Sequence, residues 1–576
     1  MSCSRNFSPT SEQEAVINHQ SSAYITACPG AGKTRSMVER ARLIMNQNSD
    51  RRGVAFLSFT NAAVTELETR LRTFGALPNP LFPSFIGTFD RFLWQFIISP
   101  FGTPTGGKTP KLIPDKSDWE VKPFENARPM PLGEFDRKTG KLDTFKFKTR
   151  TFDPGNKASA YETAALNKIK SSVEDGMLDF EDMRAIVQER LKQATFANSL
   201  GRALSARFSE IIVDEAQDCN PSDLDVVSWL LKSGIAVKLI CDPNQSIYKF
   251  RGGVTEELKQ FAEQFDQHNH LAMSGNFRSS PNICCAIVAL RAPSLRFKAD
   301  RAIGRNESVT TPIHIISYSG SGVPSTLGFT FKGIINQFGI SVSDAPILAS
   351  TKHSAFKAAG KPFHSPTKNS TLLLAEMVTK YHHSFIDGKR REALVELHKV
   401  VLKIRGKIDS LEGYHAFLLQ EENCDLDWRT EVISIANELQ YSEDETADTW
   451  LERARKLLAN DLDSGLSINS RLKKSSELGS RLVKPDPSTP PARTIHSVKG
   501  LEFPAVCVVM TANTAGRILD VLNGNSADET EEDARKLYVG ASRAETLLVI
   551  AVPKSQSDRL QKLLEGNGCQ VEVTQI

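Results

Sequence analysis

The run G-A-G-K-T at 30–34 is where chemistry can first be argued. The glycines flanking Ala31 let backbone N–H groups approach an anion closely. Lys33 adds a charge that reaches terminal phosphates, and Thr34 adds a hydroxyl suited to Mg²⁺. AYITA (23–27) is a short apolar run of strand formers, and TRSMVERARLIM (34–45) places Met37, Ala41, Leu43 and Ile44 near helical spacing. Strand, loop, helix is the order a phosphate cradle requires, because the helix N-terminus faces the anion. The loop has Ala27 where the simplest pattern G-x-x-x-x-G-K-[ST] has glycine, and Cys28-Pro29 follows. Pro29 removes one backbone N–H from the cradle.

A second piece lies far downstream. FSEIIVDEAQDCN (208–220) is a hydrophobic strand ending in Asp214-Glu215. A buried parallel strand that delivers carboxylates at its C-terminal end matches the ligand-binding edge of an open α/β sheet. Asp214 is expected to bind the metal, directly or through water, and Glu215 to polarise an attacking water. With Lys33 and Thr34 these residues form the hydrolytic half of a nucleotide site.

Further strings stand around these two: FSPTSEQEAVI (7–17), FLSFTNAAVTELETRL (56–71), FIGTFDRF (85–92), ICDPNQSIYKFRGG (240–253), SGNFRSSPNI (274–283), RTIHSVKGLEFPAVCV (493–508) and DARKLYVGASRAETLLVI (533–550). In this order they resemble the motifs of superfamily 1A DNA helicases of the UvrD/Rep/PcrA type. In that family alanine commonly begins the phosphate loop, so Ala27 is ordinary and Cys28-Pro29 is the departure. Asp90 stands where histidine is usual, and Ser542 replaces a threonine.

The resemblance implies an α/β fold. It has two RecA-like P-loop NTPase motor domains, each a parallel sheet flanked by helices, with mainly helical 1B and 2B insertions. Motor domain 1A is expected at 1–93 and 196–277, insertion 1B at 94–195, motor domain 2A at 278–370 and 488–576, and a reduced 2B-like helical insertion at 371–487. ATP and Mg²⁺ are the implied cofactors. Gln13 is implied to read the adenine edge, Phe277 to stack on adenine, and Glu502 to contact the ribose. Gly30, Ala31, Gly32, Lys33, Thr34 and Arg35 form the phosphate cradle. Arg278 and Arg543 are the implied arginine fingers, and Gln245 couples the γ-phosphate to DNA. Single-stranded or tailed DNA is the implied substrate, tracked 3′ to 5′. Phe59, Thr60, Asn61, Thr88 and Phe89 are expected to line its groove from one motor half. Tyr248, Phe250, Arg251 and His496 are expected to complete it. Flat rings that accept any base suit non-specific single-strand binding.

The compact size, F-I-G-T-F-D and the IISPFG segment (97–102) are more narrowly similar to the UvrD-like GajB component of Gabija anti-phage systems. That similarity implies an OLD/TOPRIM-type nuclease partner; the chain itself carries no nuclease motif. Two other readings stay open. One is a regulatory ATPase that senses DNA ends or nucleotide with little unwinding, since the 2B-like insertion is shorter than in larger relatives. The other is a housekeeping repair helicase.

The bulk properties fit these expectations. The 576 residues allow several domains, and 40% hydrophobic and 24% charged residues are those of a globular protein. A net charge of +3 places any DNA-binding surface in local patches. The nine cysteines form no C-x-x-C pair and read as reduced thiols. There is no signal peptide and no apolar run of about 18 residues, so a cytoplasmic bacterial location and no membrane partner are expected.

Overall fold

The computed structural model describes residues 8–46, 51–73, 80–247, 255–383, 390–418, 428–526 and 532–576, apart from 105, 107, 114, 145, 147–149, 297–298, 410, 412–413, 443, 484–485 and 487. Its framework is two six-stranded sheets in which every neighbouring pair of strands is parallel. The first contains β1 (Ala23–Ala27), β2 (Gly53–Ser58), β3 (Phe85–Thr88), β4 (Phe208–Val213), β5 (Ala236–Cys241) and β6 (His270–Met273) in the order β6-β1-β5-β4-β2-β3. The second contains β7 (Ile313–Tyr318), β8 (Ile347–Ala349), β9 (Ala492–Thr494), β10 (Phe503–Val509), β11 (Ala544–Pro553) and β12 (Val571–Gln575) in the order β9-β8-β10-β11-β7-β12.

Parallel strands covered by helices on both faces read as unbroken apolar runs rather than alternating ones. β2 (GVAFLS) and β7 (IHIISY) are buried along their whole lengths for this reason. Each sheet therefore carries a core on either face. Phe92, Phe208 and Leu230 belong to one core of the first sheet, and Ile25, Val38 and Ile212 to the other. The phosphate-loop helix Lys33–Asn46 is tied to the sheet by a buried ionic cluster: Arg40 grips Glu210 of β4 through Nε (3.1 Å) and Nη2 (2.7 Å), and Lys238 of β5 lies 3.5 Å from the same carboxylate.

Two segments leave the sheets. Between β3 and β4 the chain runs through short strands into helices Ala158–Glu174, Phe180–Lys192 and Ala194–Arg207. The second of these is capped by Asp179, whose side chain accepts the Asp182 N–H in a capping box. Between β8 and β9, helices Ser370–His383, Arg390–Arg405, Trp428–Glu438 and Ala447–Leu458 enclose a separate core centred on Trp450, whose indole N–H donates to Leu439 O at 2.7 Å. No described helix is long and apolar enough to cross a membrane.

Candidate nucleotide and DNA site

Because the strands of the first sheet are parallel, their C-terminal ends share one edge, and the chemistry-bearing loops follow from that edge. The phosphate loop leaves β1, Phe59–Asn61 follow β2, Thr88 ends β3 and Phe89 follows it, Asp214–Asp218 follow β4, and Asp242–Gln245 follow β5. Facing them from the second domain are Lys499 and Glu502 ahead of β10 and Arg543 ahead of β11.

The phosphate loop needs its glycines at the two positions the sequence offers. Gly30 and Gly32 have φ of +71° and +75°, in the left-handed region that favours glycine. A Cβ at Gly30 would meet Asn276 Oδ1 at 2.3 Å, and one at Gly32 would meet Gln13 Nε2 at 2.8 Å. Both flanks of the loop are therefore closed by other motifs. The Phe277 N–H donates to Gly30 O (2.9 Å), and Gln13 Nε2 donates to Ala31 O (3.0 Å). Gln13 Oε1 is also engaged, accepting the Thr10 N–H at 3.1 Å, so reading an adenine edge requires it to exchange one of these bonds. The Phe277 ring lies against Gly32, half-buried. Cys28 and Pro29 are buried beneath the loop, and the Cys28 N–H extends the sheet by donating to Met273 O (3.0 Å).

The carboxylates stand beside the lysine. The Asp214 N–H continues the ladder onto Leu57 O (2.8 Å), and its Oδ1 accepts the Glu215 N–H (2.9 Å). Glu215 has φ 55°. Burial works against the Lys33 charge, but Glu215, Asp242 and Asp214 outweigh it and hold the ammonium above its ordinary value. Burial, then Glu215, pushes the Asp214 carboxyl up. Loss of solvent works against the Glu215 charge, yet Lys33 and Lys499 hold it below the usual carboxylate range. Environments that drive two adjacent carboxylates apart separate their roles. Asp214 and Glu215 are half-buried beside Lys33, and Thr34, Ser58 and Asp214 are the polar residues lining one small, otherwise mostly apolar cavity. The buried Ser58 Oγ has no hydrogen-bond partner. Hard oxygen donors of this kind fit Mg²⁺ bound alongside phosphate oxygens.

From Glu215 a chain of buried hydrogen bonds crosses to the second domain. Gln217 Nε2 donates to Glu215, and Gln217 Oε1 accepts the Asp242 N–H (3.0 Å). Gln245 Nε2 donates to Asp242 Oδ2 (2.9 Å), and Gln245 Oε1 accepts from Arg543 Nη2 (3.1 Å). In parallel, Lys499 Nζ donates to both oxygens of Asp218 at 2.6 Å. Burial, then the like charge of Arg278, brings Arg543 down to about 9. Arg278 itself donates to Glu502 Oε2 (2.8 Å) and Ser542 O (3.0 Å), so the two residues expected on γ-phosphate and ribose are paired with each other here. Arg35 lies 3.6 Å from Glu39 on its own helix.

The expected DNA residues divide into three groups. Phe59 is half-buried, and Thr60 Oγ1 accepts the Ala63 N–H (3.2 Å), which leaves Asn61 exposed at the start of its helix. Thr88 Oγ1 accepts the Arg91 N–H (3.1 Å) and caps the next helix. Phe89 turns inward: it is 1% exposed and its ring stacks on Phe59, with centroids 5.5 Å apart and planes 12° from parallel. In this conformation it offers no face to a base and instead supports Phe59 from behind. Tyr248, Phe250 and Arg251 lie outside the described residues. His496 Nε2 sits 3.2 Å from Ile247 O, between the domains. Asp90, at the histidine position, lies 2.6 Å from Arg184 and so joins the Thr88–Phe89 turn to the Phe180–Lys192 helix.

The sequence reading missed Gln217, Asp218, Asp242 and Lys499 as members of this constellation. The signal was present: each is a polar residue beside an apolar strand in a string already singled out, D-E-A-Q-D, I-C-D-P-N-Q and H-S-V-K-G. Buried polar groups must find partners, so polar residues next to core strands mark contacts.

Two parallel-sheet domains facing each other across this constellation define a two-domain P-loop motor. Comparison with known proteins narrows the class. Residues 9–266 match the UvrD/REP helicase N-terminal domain model and 369–555 match the UvrD-like helicase C-terminal domain model. The chain belongs to the UvrD/Rep helicase family, whose members are ATP-dependent DNA helicases. It is 21% identical over 613 residues to a putative ATP-dependent DNA helicase, YjcD, of Bacillus subtilis, spanning 95% of this chain and 79% of that protein. It is 27% identical over 286 residues to a probable DNA helicase II homolog of Mycoplasma capricolum, covering 47% of this chain and 38% of that protein. The Gabija protein GajB of Bacillus cereus is 26% identical over 275 residues, 47% of this chain and 46% of its own. The chain thus spans less than half the length of the latter two relatives.

Proposed function

We propose that this protein is a DNA-dependent ATPase that moves along single-stranded DNA, and that ATP hydrolysis is timed by the closing of its two motor domains. The observation that carries the reading is the buried hydrogen-bond chain Glu215–Gln217–Asp242–Gln245–Arg543, which links the carboxylate beside Lys33 to an arginine of the second domain. In this reading Gly30, Ala31, Gly32 and Lys33 cradle the phosphates, and Glu215 orients the attacking water. Thr34 and Asp214 would hold Mg²⁺, which when bound would neutralise charge on the nucleotide phosphates. Arg543 and Arg278 turn from their present acceptors onto the γ-phosphate as the domains close. Phosphoryl transfer is mostly positioning and charge stabilisation, and an arginine supplied across an interface contributes about 10³–10⁵ in rate. Gln245 touches both halves and so relays closure to the loops that follow β2 and β3, where Phe59, Thr60, Asn61 and Thr88 meet the strand.

The domain boundaries follow the same reading, with 94–195 and 371–487 as insertions in motor domains 1–93/196–277 and 278–370/488–576. The 3′ to 5′ direction rests on family resemblance. The likeness to GajB supports a role in anti-phage defence beside an OLD/TOPRIM-type nuclease in the bacterial cytoplasm. The test is ATP turnover with and without a single-stranded oligonucleotide, run beside displacement of a 3′-tailed duplex. Stimulated turnover with displacement is the expected result, and Lys33→Ala abolishes both. Stimulation without displacement favours the sensing ATPase, and turnover indifferent to DNA overturns the proposal. Co-purification of a nuclease from the native host tests the defence role.

A further inference from the structure

We propose that Tyr538 and Asp242 form an interdomain latch that positions Gln245 and Arg543, making Tyr538 a positioning residue for DNA-stimulated hydrolysis. The inference rests on the reading of Gln245 and Arg543 given above. Asp242, at the C-terminal end of β5, is 2% exposed and has every oxygen engaged. Its Oδ1 accepts the Asn244 N–H (3.0 Å) and shapes the turn that carries Gln245. Its Oδ2 is shared between the two domains, accepting Gln245 Nε2 (2.9 Å) from its own side and the Tyr538 hydroxyl (3.0 Å) from the other.

Tyr538 is held for this task. It lies in the helix Glu532–Ala541, is 1% exposed, and sits beside the guanidinium of Arg291, which is paired with Asp300. Burial, then the Asp242 charge, keeps its phenol protonated, so toward Asp242 it acts as a donor. The Gln245 amide is consequently gripped at both ends, Nε2 on Asp242 and Oε1 on Arg543. For Gln245 or Arg543 to reach a γ-phosphate, that grip must open. When it does, the Tyr538–Asp242 bond involves neither reacting group, and it keeps the Gln245 turn in register with the Arg543 helix end. Deleting the hydroxyl leaves Asp242 one donor short in a buried site and frees the turn, with no contact to nucleotide removed.

The experiment is a double-mutant cycle in the full chain, using Tyr538→Phe, which keeps the ring, Gln245→Ala, and both together. ATP turnover is read with and without oligonucleotide, together with the affinity for a fluorescent ADP. Tyr538→Phe is expected to lower DNA-stimulated kcat about tenfold with KM for ATP and ADP affinity shifted less than about threefold, the signature of stabilisation removed from the transition state and not from nucleotide binding. Added to Gln245→Ala, it is expected to cause no further loss, because both act through one turn. Asp242→Asn, which keeps the shape and removes the charge, is expected to give the same non-additivity if Tyr538→Phe melts early. Stimulated turnover at the wild-type level in Tyr538→Phe, or losses that multiply in the double variant, overturns the latch. Full stimulation in Gln245→Ala alone overturns the reading of the site on which the latch rests.

Discussion

Glu215 has φ 55°, where a non-glycine side chain stores roughly 1–3 kcal/mol of strain. That strain is held at the end of β4 by the bonds around it, and it turns the carboxylate toward Lys33 rather than along the strand. The stacked pair Phe59 and Phe89 divides labour in the same local way. Two substitutions separate their roles. Phe89→Ala removes a fully buried ring and is expected to destabilise the protein by about 3–5 kcal/mol, read as a fall in the denaturation midpoint. Phe59→Ala removes a half-buried ring and is expected to cost less in the same denaturation, about 1–2 kcal/mol. It is expected to weaken oligonucleotide affinity by the loss of one stacking platform, about 1–3 kcal/mol or roughly five- to 150-fold in Kd. Equal destabilisation by both would place Phe59 in the core with its neighbour.

At the scale of elements, the ionic cluster of Arg40, Glu210 and Lys238 fixes the phosphate-loop helix against the strand that delivers Asp214 and Glu215. Removing one member of a buried pair leaves a charge without its partner, a loss of about 3–5 kcal/mol. Lys238 remains 3.5 Å from Glu210, so Arg40→Ala is expected at the lower end, about 3 kcal/mol in chemical denaturation. The helical segment between β8 and β9 carries a pH dependence of its own. His398 stacks on Trp428 with centroids 4.2 Å apart, and burial lowers its pKa to about 4 from the ordinary 6.5. The unfolded segment therefore takes up a proton first as pH falls from 6.5, so the contribution of His398 to stability is full above about 6.5, falls as pH drops from 6.5 to about 4, and is flat below that. His398→Phe keeps the stack and is expected to flatten this part of the profile in thermal melts at stepped pH. An unchanged slope would assign the dependence to other groups.

Over the whole molecule, the two parallel sheets bring together residues separated by more than 500 positions, Lys33 and Arg543 among them. The strands were legible where periodicity and flanking chemistry agreed. AYITA is β1 residue for residue, and FSEIIV is β4. The geometry of the candidate site was legible only in part. Single strings picked out Lys33, Asp214 and Arg543, but the bonds between them pass through Gln217, Asp242, Lys499 and Tyr538. Their partners lie up to 296 residues away, beyond the reach of any local pattern. Likewise no spacing rule separates Phe59 from Phe89, because the difference is which ring the Thr88 turn pushes under the other. In the proposed function, hydrolysis requires an arginine brought by the second domain to the carboxylates of the first. The direct measurement is steady-state ATP turnover of wild type and Arg543→Lys, with and without single-stranded oligonucleotide, alongside ADP affinity. DNA is expected to stimulate the wild type, and Arg543→Lys to lose at least about 10³ of the stimulated rate while binding ADP within a few-fold of wild type. Turnover retained by Arg543→Lys, with ADP bound as tightly, would contradict that requirement.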